Sequence, residues 1–277
     1  MIQGNEPNKL LTDMFGSLTP LRQKPIPARE GARAKLRNHH DLGIDSAGAA
    51  HGEVLEDAGN FGLDGRNHYA HARNPPYWRK AKGAIDRLLV RGGVGARLKN
   101  VNARLREAGL KLFLYDAWRP RAVQAYFHDE WMPAEVRRRH PEMSAAEVVA
   151  EVSQYWAAPS ENPMRPAPHE TGAAVDLTIM WDDGAPLFMG ALFDDVTDHA
   201  WTDWYERGVA APSYSADEAQ ANRRLLYWVM IEAGFSNHPN EWWHYSYGDQ
   251  MWAAQTGAEA ALYGLAAPED GFGEAGG

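Results

Sequence analysis

The chain predicts an α+β domain: a small, mainly antiparallel sheet flanked by helices. Three observations point there. Residues 110–115 and 174–180 alternate apolar and polar side chains with the two-residue period of strands. Residues 218–233 instead repeat their apolar positions at the helical period. Between these segments there is no regular strand–helix–strand alternation, which a doubly wound parallel sheet would require.

Taken in order, residues 1–50 are punctuated by proline and arginine and predict an irregular N-terminal arm. Residues 59–65 are too glycine-dense for a regular element. Residues 78–91 have helical character, and 98–108 read as a second helix stopped by Gly109. The strand at 110–115 delivers Asp116 and Arg119 at its end. Pro120 suits a first helical turn, and the helix it opens runs through Ala122, Val123 and Phe127. Ser144 and Glu147 form a capping-box pattern ahead of a helix over 144–156. Prolines break regularity at 159–168. In the strand at 174–180, Val175, Leu177 and Ile179 face one way, Asp176 and Thr178 the other. The helix over 218–233 carries Leu225, Leu226, Val229 and Met230 on one stripe and stops at Gly234. The aromatic run at 242–245 suits a strand. The expected organisation is an arm (1–50), one folded domain (51–265) and a frayed tail (266–277).

Composition narrows the function. With 44% hydrophobic residues, eleven tryptophans and eleven tyrosines, the chain has the means to bury a core and is not a disordered protein. A formal net charge of −9 disfavours binding to nucleic acid or to an anionic membrane. There are no cysteines, so a metal would be held by nitrogen and oxygen. No signal-peptide pattern opens the chain, and no apolar run approaches the roughly twenty residues of a membrane span. A soluble, cytoplasmic protein is expected, with its oligomeric state left open.

Three short segments carry chemistry. His169 and Asp176 lie in PHETGAAVDLTI, Glu241 and His244 in NEWWHY, and Arg119 in YDAWRP. A catalytic zinc takes three ligands from His and Asp/Glu and keeps one position open for water. His169, Asp176 and His244 supply that set, with Gly172 marking a turn that lets the first two converge. Glu241 is close enough to His244 to act as a base. Residues three apart on an ideal strand face opposite ways, so Glu241 must sit on a preceding loop or bulge. Arg119 is a permanent cation for an oxyanion or substrate carboxylate, with Asp116 placed to orient it. Neither HExxH nor G-x-S-x-G occurs, which disfavours a thermolysin-type zinc helix and a serine-hydrolase elbow.

The order YDAWRP, PHETGAAVDLTI, FMGALFDD, NRRLL and NEWWHY, over roughly residues 55–250, resembles the D-alanyl-D-alanine dipeptidase branch of the zinc D,D-peptidases. Asn60-Phe61 and Phe193-Asp194 extend the resemblance. It implies the hedgehog/D,D-peptidase-like fold, one Zn2+ and hydrolysis of a small dipeptide. It makes His169, Asp176 and His244 the zinc ligands, Glu241 the general base and acid, and Arg119 the transition-state cation. Asp194 becomes the receiver of the substrate ammonium, and Asp116 and Trp242 complete the expected substrate-binding set. Two departures fall at the substrate end: Ala167 and Pro168 stand where the family has serines, and Leu55 where it has a tyrosine. Two alternatives stay open. One is a D,D-carboxypeptidase or peptidoglycan-stem peptidase with the same centre. The other is a non-catalytic zinc-binding module, against which Glu241 and Arg119 together count.

Overall fold

A computed structural model of the chain describes residues 12–269 apart from 13, 154, 157, 161 and 209. The first 50 residues include two short helices, α1 (Thr19–Gln23) and α2 (Arg29–Leu36), and strand β1 (Gly43–Ile44). Strands β2 (Leu55–Asp57), β3 (Asp64–Gly65) and β4 (Leu89–Arg91) follow, with β2 and β4 paired antiparallel. Helix α3 (Gly92–Arg106) leads into β5 (Leu110–Asp116). Next come α4 (Arg121–Ala125), a π-helical stretch (Tyr126–Trp131), α5 (Met132–Arg139) and α6 (Ala145–Val152). Strand β6 (Ala174–Trp181), helix α7 (Tyr214–Glu232), strands β7 (Ser236–Asn237) and β8 (His244–Ser246), helix α8 (Gln250–Thr256) and β9 (Ala260–Ala261) complete it.

The main sheet has the order β3-β5-β6-β8-β7, and only the β3–β5 pair is parallel. This is the α+β, mainly antiparallel architecture that the alternating segments predict. Val175, Leu177 and Ile179 of β6 are fully buried, as are Leu98 and Leu105 of α3 and Leu225 and Leu226 of α7. Each such leucine contributes about 1.5–3 kcal/mol by leaving water, so the sheet that carries the site is also the centre of the core. Helix α1 packs on α7, and Phe15, Leu18 and Leu21 join the same core. The segment read as irregular therefore holds ordered, buried elements.

Three element expectations need correction. Residues 78–91 form a loop ending in β4, because Leu89, Val90 and Arg91 are all buried in the pairing with β2. Asn74 organises that loop, bonding the Arg79 backbone through both ends of its amide. Helix α3 starts at Gly92 rather than 98: a Cβ on Gly95 would run into the Phe61 ring, and the Gly93 N–H donates to the Glu53 carboxylate at 2.6 Å. Its glycines mark close approach, not a helix break. Strand β8 begins at His244, and Trp242 and Trp243 lie in the turn before it. Ser144 and Glu147 do make a complete capping box on α6. Of the expected tail, residues 270–277 lie outside the described residues, while Ala266 is tied in by hydrogen bonds to Glu170 and Trp118. Among the described residues no helix is long and apolar enough to cross a membrane.

Candidate active site

Strand register builds the site. Asp116, Asp176 and His244 are direct partners across β5, β6 and β8. Leu114 opposes Leu177 and Asp116 opposes Asp176, so β5 inserts one extra residue. That bulge turns Asp116 onto the face of Asp176, since directly opposed residues share a face. His169 reaches the row from a 3-10 turn (Pro168–Thr171), which Gly172 ends in the left-handed region at φ 70°. A Cβ on Gly172 would meet Leu55, so the position demands glycine on two counts.

His169, Asp176 and His244 are all buried, and one ligating atom from each lies within 4.8 Å of the others. His169 Nδ1 is 2.8 Å from the Ala117 carbonyl, to which it must donate, and this leaves the Nε2 lone pair facing inward. Nε2 is 3.1 Å from His244 Nδ1 and 3.3 Å from Asp176 Oδ2. Asp176 Oδ1 is 3.1 Å from His244 Nδ1, yet it is buried without a hydrogen-bond partner. Two imidazole nitrogens and an orphaned carboxylate oxygen converging on one point fit a divalent cation, and an N2O donor set suits zinc. Burial alone would raise the Asp176 pKa, but His169 and His244 hold it well below the usual carboxylate range.

Arg119 closes one side. Its Nε donates to Asp116 Oδ2 at 2.7 Å, Nη1 to Gln124 at 2.9 Å, and Nη2 to Tyr69 and Asp176 at 3.2 Å each. Burial works against its charge, but Tyr69 and the carboxylates of Asp116, Asp176 and Asp194 keep it protonated above the usual arginine range. Glu241 sits on the loop before β8, as the strand-spacing argument requires, with Oε2 3.6 Å from His244 Nδ1. Asn237 fixes that loop by donating to the Glu241 and His244 carbonyls. Burial, then the nearby carboxylates of Asp176 and Asp194, push the Glu241 carboxyl up to about 8 against His244 and Arg119.

Asp194 adopts φ 59°, a left-handed conformation that aspartate tolerates better than most residues. Its Oδ2 accepts from Tyr69 at 2.8 Å and Tyr77 at 2.9 Å, and burial pushes its carboxyl up to about 7. Arg223 tethers the segment carrying it, donating to the carbonyls of Met189, His199 and Trp201.

A cavity of about 270 Å³ is lined by Arg119, His169, Asp176, Asp194, Glu241 and His244 together. Two of the expected substrate residues are elsewhere. Asp116 is 0% exposed and behind Arg119, which it orients. Trp242 is 2% exposed and bonded through its backbone N–H to Ala200; Trp243 lines the cavity in its place. Sequence reasoning missed Tyr69 and Tyr77, which lie in a turn-rich stretch with no periodic signal. It also missed His39, His40 and His238 on the cavity wall. The adjacent pair His39-His40 is visible in the sequence, but only as part of the arm. Ala167 and Pro168 do line the cavity, whereas Leu55 packs beneath Gly172 and does not.

The family model described as D-ala-D-ala dipeptidase matches residues 58–260. A D-alanyl-D-alanine dipeptidase of Synechocystis sp. is 36% identical over 179 residues, covering 60% of this chain and 72% of that one. The D-alanyl-D-alanine dipeptidase of Escherichia coli is 31% identical over 159 residues, covering 57% and 65%. Among solved structures, the vancomycin resistance D,D-pentapeptidase VanY in complex with Zn(II) is 18% identical with a TM-score of 0.37, covering 61% of this chain and 80% of that one.

Proposed function

The chain belongs to the D-ala-D-ala dipeptidase family, and from that premise we propose that it is a zinc peptidase hydrolysing free D,D-dipeptides such as D-Ala-D-Ala. One observation carries the proposal. Three metal-ligating side chains, a carboxyl suited to proton transfer, a buried guanidinium and a second buried carboxyl all border one small cavity. At about 270 Å³ the cavity falls just below the ~300–1,000 Å³ of pockets for drug-sized ligands, which favours a dipeptide over a long stem peptide.

His169, His244 and Asp176 would hold the zinc, His169 through Nε2 and His244 through Nδ1, the ring nitrogens that face Asp176. When bound there, zinc supplies a Lewis acid that brings the pKa of water towards ~7 and polarises a carbonyl. Glu241 takes the proton of the attacking water and passes it to the leaving amine. Burial holds the metal-free Glu241 carboxyl up at about 8, and a cation bound beside it would bring it down towards neutrality, where one group can both take and return a proton. Arg119, held rigid by Asp116 and Gln124, faces the oxygen on which negative charge grows. Its interaction strengthens in the transition state, which is what accelerates the reaction. Asp194 receives the substrate ammonium, and Tyr69 and Tyr77 hold its carboxyl for that purpose.

The test is a peptide panel of D-Ala-D-Ala, L-Ala-L-Ala and N-acetyl-D-Ala-D-Ala on one zinc-loaded preparation. Free D-Ala-D-Ala should be hydrolysed with the highest kcat/KM. Equal values for the free and acetylated peptides would replace this proposal with a D,D-carboxypeptidase.

A further inference from the structure

A free dipeptide carries a second charge, its carboxylate, and none of the groups assigned above is set aside for it. Arg119, held by Asp116, Gln124, Tyr69 and Asp176, is already assigned to the oxygen on which charge develops. Ala167 and Pro168 line the cavity without a side-chain donor. The lining also includes the acids Asp176, Asp194, Asp195 and Glu241, so an incoming anion needs a donor set apart from them. His39 and His40 line the same cavity and lie outside the family-matched residues 58–260.

The chain fastens this pair to the domain on both sides. Before it, α2 packs against α8, and Arg29 lies 3.1 Å over the Trp201 ring. After it, Arg165 bonds Asp41 at 2.8 Å and β1 pairs with β9. Gln250 of α8 donates to the carbonyls of His40 and Leu42 at 3.3 and 2.6 Å. The two rings lie against each other with centroids 3.7 Å apart. His39 Nδ1 is 2.7 Å from the Leu36 carbonyl and must donate to it, which reserves Nε2 for a ligand. On the domain side, the His238 ring lies 5.7 Å from that of His244, and both line the cavity together with His39 and His40.

Resting on the dipeptidase reading of the site, we propose that His39 receives the substrate carboxylate through Nε2, with His40 as the ring that positions it. Nε2 takes one proton from solvent as the anion arrives, giving a charge-assisted hydrogen bond. The N-terminal segment then sets where the dipeptide ends, and a substrate extended or blocked at its C-terminus loses this contact.

The experiment measures calorimetric binding of D-alanyl-D-alanine and its C-terminal amide to the full, zinc-loaded chain carrying Glu241→Gln to stop turnover. His39→Asn keeps a donor for the Leu36 carbonyl and loses the Nε2 edge; His39→Gln reaches the Nε2 position. The parent should prefer the free acid by about tenfold or more, as expected for a hydrogen bond to a charged group. His39→Asn should bring the two ligands to near equality, and His39→Gln should restore part of the preference. Full preference in His39→Asn overturns the assignment. So does equal binding of acid and amide by the parent, or a loss in both variants that weakens the amide equally, the mark of a structural wall. Failure of the parent to bind either ligand overturns the dipeptide proposal and this one together.

Discussion

Replacing Asp194 with asparagine should stabilise the protein at alkaline pH while disabling substrate recognition. Asparagine accepts the left-handed backbone at φ 59°, and its amide oxygen can still take the Tyr69 and Tyr77 hydroxyls. The perturbation is thus confined to one buried charge. Burial lifts the Asp194 carboxyl from its ordinary 3.8 to about 7. Between those values the folded chain holds a proton that the unfolded chain has released. Stability from this group is therefore complete below about pH 4, declines as pH rises through the window, and is gone above about pH 7. At 1.36 kcal/mol per pKa unit the loss is ~4 kcal/mol as a ceiling, and roughly half of that after local relaxation. Asparagine does not titrate and escapes the loss. Urea unfolding of metal-free wild type and Asp194→Asn at pH 4 and pH 9 should show the variant gaining ~2 kcal/mol relative to wild type at the higher pH. On the zinc-loaded enzyme, where a bound cation would offset the Asp176 charge, kcat/KM for free D-Ala-D-Ala should rise with pH as the Asp194 carboxylate forms, with a midpoint below that of the metal-free chain. In the variant it should fall ~10²-fold, as when one partner of a buried charge pair is lost. Parallel stability profiles would refute the buried-charge argument. An unchanged kcat/KM would refute the ammonium assignment.

His169→Ala should lower the zinc content of dialysed protein from about one per chain to near none; full retention would remove His169 from the ligand set. Glu241→Gln should keep zinc and fold while kcat falls by ~10² or more, and loss of metal instead would make Glu241 a ligand. Arg119→Lys keeps a charge but not the fork that joins Asp116, Gln124, Tyr69 and Asp176, so kcat should fall ~10²–10³-fold with zinc retained. A near-wild-type rate would leave Arg119 a structural ion pair. Gly95→Ala, far from the chemistry, should destabilise by ~1–3 kcal/mol because its methyl meets the Phe61 ring; an unmoved urea midpoint would show that Phe61 can swing away.

Local pattern makes part of this site legible, and long-range packing hides the rest. Strand alternation puts Asp176 on a polar face, and Gly172 announces the turn that returns His169 to it. The three-residue spacing of Glu241 and His244 requires a loop before β8, which is where Glu241 lies. No such rule separates Trp242 from Trp243. The turn decides, sending the Trp242 backbone to bond Ala200 and Trp243 to the cavity. The strand end near Arg119 predicts the orienting role that Asp116 has, but not that its burial removes it from the expected substrate-binding set. Only the bulge, invisible in the alternation, shows that Asp116 faces Asp176 from inside the sheet. Periodicity also misreads 78–91, where apolar residues at helical spacing serve a buried strand and the loop leading to it.

The hydroxyls behind Asp194 show why a substrate end is harder to read than a metal end. Metal ligands must sit within a few ångströms on stiff elements, so strand register and a glycine turn betray them. A carboxyl that waits for an ammonium needs only to be kept desolvated and aimed, and many scaffolds do that. On the proposed assignment of Asp194 the task falls to Tyr69 and Tyr77, more than a hundred residues away in sequence, and to Arg223, which pins the segment from α7. Leu55, conspicuous as a missing hydroxyl, packs under Gly172 instead. Its departure therefore bears on the turn that presents His169, not directly on the ammonium. Selectivity in this chain is better sought in Tyr69, Tyr77 and the N-terminal histidines than at the position where the sequence differs most visibly.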